Sequence, residues 1–99
     1  MRVIAVKTLR EFWEQPQYAD SEQSLKAWNQ EVRKANWASP TDIKAVFRQA
    51  SIIAGNRVVF NIAGNKYRLV VKIHYNLRII YIRFIGTHAQ YDQIDVEKV

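Results

Sequence analysis

The chain contains no cysteine. That excludes a disulfide framework, thiolate chemistry and cysteine-based zinc sites. Its two histidines, His74 and His88, cannot close a metal site by themselves, and no cofactor is expected. No apolar run approaches the roughly 20 residues of a membrane span. The apolar stretch within Met1–Lys7 is too brief for a secretory signal and lacks a small-residue cleavage site, so a cytoplasmic protein with no membrane partner is expected. Acidic residues are missing from the whole of residues 43–91, which carry eight basic side chains: Lys44, Arg48, Arg57, Lys66, Arg68, Lys72, Arg78 and Arg83.

What is present is an ample core and an uneven charge. The 99 residues bound a single domain, 1–99, and 48% of them are hydrophobic, enough to fold without staples. The net charge of +6 comes from a neutral stretch over residues 1–42, the acid-free stretch, and a mildly acidic end over residues 92–99. Like charges repel, so an unopposed basic region points to a partner that neutralises it, and polyphosphate backbones are the usual one. A basic surface that only aids solubility is the plainer account of the same numbers.

Residues 2–6 read as a short strand. Thr8 is placed to cap a helix through about Gln15, with Leu9, Phe12 and Trp13 inward and Pro16 ending it. Asp20 or Ser21 caps a second helix, with Gln23 completing a capping box after Asp20. Leu25, Trp28, Val32 and Ala35 share one face of that helix, and Asn36 closes it. Ser39-Pro40 opens a third helix with Ile43, Val46 and Phe47 buried. From Arg57 the period changes to two. Val58–Ile62 is a strand, Ala63-Gly64-Asn65 a hairpin loop, residues 66–74 a second strand and residues 78–85 a third, ended by Gly86-Thr87. The tail from Gln93 reads as polar and loose. Helices followed by strands predict an α+β fold: a small, mostly antiparallel sheet of an N-terminal strand and a C-terminal three-stranded meander, with two or three helices on one face.

Alternation along residues 66–74 places Tyr67, Leu69, Val71 and Ile73 on one side. Lys66, Arg68, Val70, Lys72 and His74 take the other, with roughly 6.5 to 7 Å between alternate residues. Phosphates along a nucleic-acid strand lie at comparable spacing, and arginine clamps a phosphate with two donors where lysine offers a point charge. Past the last strand, Thr87-His88-Ala89-Gln90-Tyr91-Asp92 gathers a His, a Tyr and an Asp. In one helical turn His88 and Tyr91 stand at i and i+3 and point the same way. An imidazole suits proton transfer near neutral pH, and Asp92 is placed to orient it. Each of these residues alone is as easily a surface residue. Together with the basic face they suit cleavage of RNA, whose own 2′-hydroxyl is the nucleophile. A non-catalytic nucleic-acid-binding module is the alternative on the same face.

The run Arg57-Val58-Val59-Phe60-Asn61-Ile62-Ala63-Gly64-Asn65-Lys66-Tyr67-Arg68-Leu69-Val70 resembles the core signature of HigB-type toxins, members of the RelE-like superfamily. So does Arg83-Phe84-Ile85-Gly86-Thr87-His88-Ala89-Gln90-Tyr91-Asp92, and Trp37-Ala38-Ser39-Pro40 with Asp42-Ile43-Lys44 fits upstream. The resemblance spans Val3 to about Asp95. It implies a RelE-like fold and a type II toxin that cleaves messenger RNA on the ribosome. It also implies a cognate HigA-type helix-turn-helix antitoxin as partner, with operator DNA reached only through that antitoxin. Carried over by position, Lys66 and Arg68 would hold the scissile phosphate, and His88 and Tyr91 would transfer protons or stack on bases. Asn61, Asn65, Lys72 and Arg83 would contact RNA. RelE itself has a lysine pair where this chain has Val59 and Asn61, and relies on arginine and tyrosine where this chain has His88. The resemblance therefore leaves the general base open.

Overall fold

A computed structural model describes all residues, 1–99. In chain order the elements are β1 (Arg2–Ile4), α1 (Val6–Trp13), a 3-10 helix (Pro16–Ser21), α2 (Glu22–Lys34), α3 (Pro40–Val46), β2 (Ser51–Ile53), β3 (Arg57–Ile62), β4 (Tyr67–His74), β5 (Ile79–Thr87) and α4 (His88–Tyr91). The sheet order is β1-β5-β4-β3-β2. β1 runs parallel to β5, and every other pairing is antiparallel. The architecture is the predicted α+β arrangement, with one more strand than predicted. β2 is only three residues long and mostly exposed, too short for a period-two signature to stand out.

One core lies between the sheet and the helices. It joins Leu9 and Phe12 of α1, Leu25, Trp28 and Val32 of α2 and Ile43 of α3 to Val58, Phe60, Ile62, Tyr67, Leu69, Val71, Ile73 and Ile80 of the strands. The alternation of β4 holds on this side: Tyr67, Leu69, Val71 and Ile73 are at most 1% exposed. No helix is long and apolar enough to cross a membrane.

Several local expectations are corrected. Val6 opens α1 rather than continuing β1, and Pro16 begins the 3-10 helix rather than only ending α1, a position where its missing N–H costs nothing. α2 ends at Lys34, ahead of Asn36. The capping box at Asp20 does not form, because the Asp20 carboxylate accepts hydrogen bonds from Lys66 Nζ and the Tyr67 hydroxyl instead. Gly86 and Thr87 remain in β5. The tail is tied down rather than loose: Arg57 Nε donates to the Val99 carbonyl at 2.8 Å, and Ile94, Val96 and Val99 are half-buried. The β3–β4 loop turns as predicted, with the left-handed conformations at Ala63 (φ 53°) and Gly64 (φ 69°).

Candidate active site

The face of the sheet turned away from the helices presents cross-strand rows, because residues opposite one another in a ladder share a side. Asn61 of β3 faces Arg68 of β4, which faces Gly86 of β5. The next row is Val59, Val70 and Phe84, and the next is Arg57, Lys72 and Tyr81. Val59 and Val70 are 3% and 0% exposed although they lie outside the helical core. The middle of this face is therefore closed and apolar, and cations flank it at both ends. Val70, which alternation places among the cations of β4, is thus joined by Val59 and Phe84 in an apolar break across the basic side.

β5 does not alternate regularly. Val71 pairs with Ile82 and Val70 with Phe84, so Arg83 is an extra residue, a bulge. Ile82 and Ile85 both pack against the core. The bulge thus leaves Arg83 and Phe84 together on the outer side. Arg83 is exposed, with its guanidinium 5.9 Å from the centre of the Tyr81 ring, and His74 meets the same ring edge-on at 5.3 Å.

α4 begins directly where β5 ends. Thr87 accepts from the Gln90 backbone N–H at 3.2 Å, while Gln90 Oε1 accepts from the Thr87 N–H at 2.9 Å, a closed capping box. Gln90 Nε2 donates to the Tyr18 hydroxyl at 3.2 Å, and Tyr18 stacks on Phe12 at 4.3 Å. The turn is therefore anchored to the helical layer. Tyr91 turns the other way, with its ring 6.4 Å from Phe84, and is half-buried; His88 is exposed. Gly86 leaves room here: a Cβ at this position would meet Gln90 Oε1 at 2.5 Å and Phe84 Cζ at 2.7 Å, so a larger residue would have to displace the Gln90 side chain of the capping box and the Phe84 ring.

Asn61 and Arg68 share one row at this end of the outer face, Tyr91 reaches the face at Phe84, and His88 follows directly on β5 with its side chain exposed; Lys72 and Arg83 lie further along. Asn65 lies in the adjoining loop, and its Oδ1 accepts from Arg68 Nη1 at 3.3 Å. Lys66 is not in this group. It precedes β4, and its ammonium pairs with Asp20 of the 3-10 helix. The two shift each other: the hydrogen bond from Lys66, then that from Tyr67, holds the Asp20 carboxyl below its ordinary value, and Asp20 raises Lys66. Burial first, then the bond to Asp20, pushes the Tyr67 hydroxyl up.

Three further cations of the acid-free stretch serve structure. Arg78 donates to Asn36 and to the carbonyls of Trp37 and Tyr75. Lys44 donates to the carbonyls of Arg48 and Ala50 at 2.6 and 2.8 Å. Arg57 holds the tail. No three His, Asp or Glu side chains gather as metal ligands.

Two residues near this end were not singled out from the sequence. Arg48 and Gln49 lie in the α3–β2 connection, and Asn61 Nδ2 donates to Gln49 Oε1 at 3.4 Å. They precede any strand periodicity, and only the fold brings them to β3.

The arrangement offers a guanidinium at the centre of a short polar row, with an exposed imidazole and a phenol on the turn that follows the third strand of that row. Such a set can hold a phosphodiester and move protons at its two flanking oxygens. Residues 21–94 match the family described as HigB_toxin, RelE-like toxic component of a toxin-antitoxin system. The chain is similar to the mRNA interferase toxin HigB of Escherichia coli (strain K12), with 30% identity over 94 residues covering 93% of this chain and 88% of the relative. It is similar to the same degree and extent to the mRNA interferase HigB of Escherichia coli O157:H7 and that of Shigella flexneri.

Proposed function

The chain belongs to the HigB family of RelE-like toxins of toxin–antitoxin systems, and from that membership we propose that it is a ribosome-dependent endoribonuclease that cuts messenger RNA and is neutralised by a HigA-type antitoxin. The observation that carries the reading is the row Asn61–Arg68–Gly86 with His88 and Tyr91 on the turn beside it. RNA laid along this end of the sheet supplies its own nucleophile. A base removes the proton of the 2′-hydroxyl, and the 2′-oxygen attacks phosphorus. The bond to the 5′-oxygen breaks, and an acid returns a proton to that oxygen, leaving a 2′,3′-cyclic phosphate.

In this reading Arg68 stabilises the charge gathered on the phosphate, because a guanidinium offers two parallel donors. His88 serves as the base and Tyr91 as the acid or as a stacking surface for a base. Asn61 and Asn65 hold the strand, while Lys72 and Arg83 take phosphates further along it. Lys66, paired with Asp20, supports the loop that carries Asn65 rather than touching the phosphate.

Primer extension on messages recovered after a brief pulse of expression tests this. The expected result is new 5′ ends inside translated regions, lost with His88→Ala by a factor of about 100 or more, the usual worth of a proton-transfer group. Salt-dependent RNA binding without strand scission would overturn it in favour of a binding module.

A further inference from the structure

A groove of about 420 Å³ lies beside Asn61, between the α3–β2 connection and the β3–β4 loop, lined by Val46, Phe47, Arg48, Gln49, Phe60 and Asn61 among others. Of its lining, the proposed chemistry uses only Asn61. Its size is within the range that takes a small ligand.

Its walls differ in kind. Phe47 is half-buried, and its ring is fixed edge-on against Phe60 at 5.0 Å and Trp37 at 6.0 Å. It therefore offers an aromatic surface braced by two other rings. Across from it stand two carboxamides, Gln49 and Asn61, joined by one long hydrogen bond. That bond leaves donor and acceptor capacity on both. Arg48 is exposed at the margin, and no acidic side chain lines the groove. The backbone contributes as well: β2 pairs with β3 only from Arg57 to Val59, so the outer edge of β3 at Phe60–Ile62 has no strand partner. Asn61 belongs both to this groove and to the row holding Arg68. A strand whose phosphate sits on Arg68 therefore has its neighbouring base within reach of the groove.

We infer that this groove receives an unstacked nucleobase of the substrate RNA next to the cleaved bond, stacked on Phe47 and read at its polar edge by Gln49 and Asn61, with Arg48 on the adjoining phosphate. An aromatic platform with amide donors and acceptors is how single-stranded bases are read. Gln49 is then the residue that sets sequence preference. The inference rests on the nuclease reading above and adds the specificity of that site.

The test compares cleavage maps of the full chain with those of Gln49→Ala, Phe47→Leu and Arg48→Ala, again by primer extension. Gln49 is exposed, so its variant leaves the core intact. The expected result for Gln49→Ala is continued cutting with the preference between favoured and disfavoured sites reduced about tenfold, the scale of one good base contact. Phe47→Leu should slow cutting at all sites and flatten the preference. Arg48→Ala should weaken cutting evenly and lower its salt sensitivity.

Unchanged preference in both Gln49→Ala and Phe47→Leu, with the parent cutting normally, overturns the inference while leaving the nuclease reading intact. Unchanged preference together with escape from antitoxin neutralisation also overturns it and assigns the groove to protein docking. Absence of cutting by the parent removes the nuclease reading and this one with it.

Discussion

The two faces of β4 are built on different terms. Tyr67, Leu69, Val71 and Ile73 are shut into the helical core. Arg68, Lys72 and His74 on the opposite side are only half-buried, with Val70 closed between them in a row with Val59 and Phe84. The inner face is specified by packing within the chain. The outer face leaves a guanidinium and an ammonium without carboxylate partners, the guanidinium donating to the Asn65 side chain. In the proposed function, β4 carries its stability on one side and its activity on the other. Substitutions on the two sides should then separate cleanly into loss of fold and loss of activity.

The sharpest test of that separation sets Arg68 against Lys66. Arg68→Ala should lower message cleavage by about 100-fold or more with an unchanged thermal midpoint, whereas Lys66→Ala should leave most of the activity, since its ammonium is already committed to Asp20. Equal losses in the two variants would erase the distinction drawn between them.

On the other side, Leu69→Ala should destabilise the chain by about 2–5 kcal/mol through the cavity it opens, read as a shift in the denaturation midpoint, with activity per folded molecule retained.

The smallest effect concerns Asp20. Its carboxyl is held low chiefly by Lys66, then by Tyr67. A depressed carboxyl contributes stability above its unfolded value and loses it as pH falls through the folded one. The difference in melting temperature between the parent and Asp20→Asn should therefore be present at neutral pH and close as the solution is taken below the ordinary carboxylate range. A gap that persists in acid would show that the pair acts by packing rather than by charge.

Much of this molecule was readable from its residues. The inward set of β4, the hairpin at Ala63-Gly64-Asn65 and the inner faces of α1 and α2 follow from periodicity alone, because each is local and repeats. The sequence also pointed to α4 through the Thr87–Asp92 cluster, although the capping box between Thr87 and Gln90 only appears in the structure. The features that escaped are those without a local signature. The Asp20–Lys66 pair joins residues 46 apart. That one contact undid both the capping box at α2 and the place of Lys66 on the basic face. Ser51–Ile53 is too short to alternate. Gln49 meets Asn61 only because β2 delivers the α3–β2 connection to the edge of β3. In Ile82-Arg83-Phe84-Ile85 the period slips by one residue, so no parity could be assigned to Arg83 before the ladder was known.

That slip has a consequence of its own. Removing Arg83 altogether would leave Tyr81, Ile82, Phe84, Ile85 and Gly86 in perfect alternation, each still opposite its present neighbour on β4. The arginine is thus the residue that makes the bulge, and the pairing of β5 with β4 does not depend on which side chain it carries. Its positive charge stands at the surface beside the Tyr81 ring and not over the core beneath it.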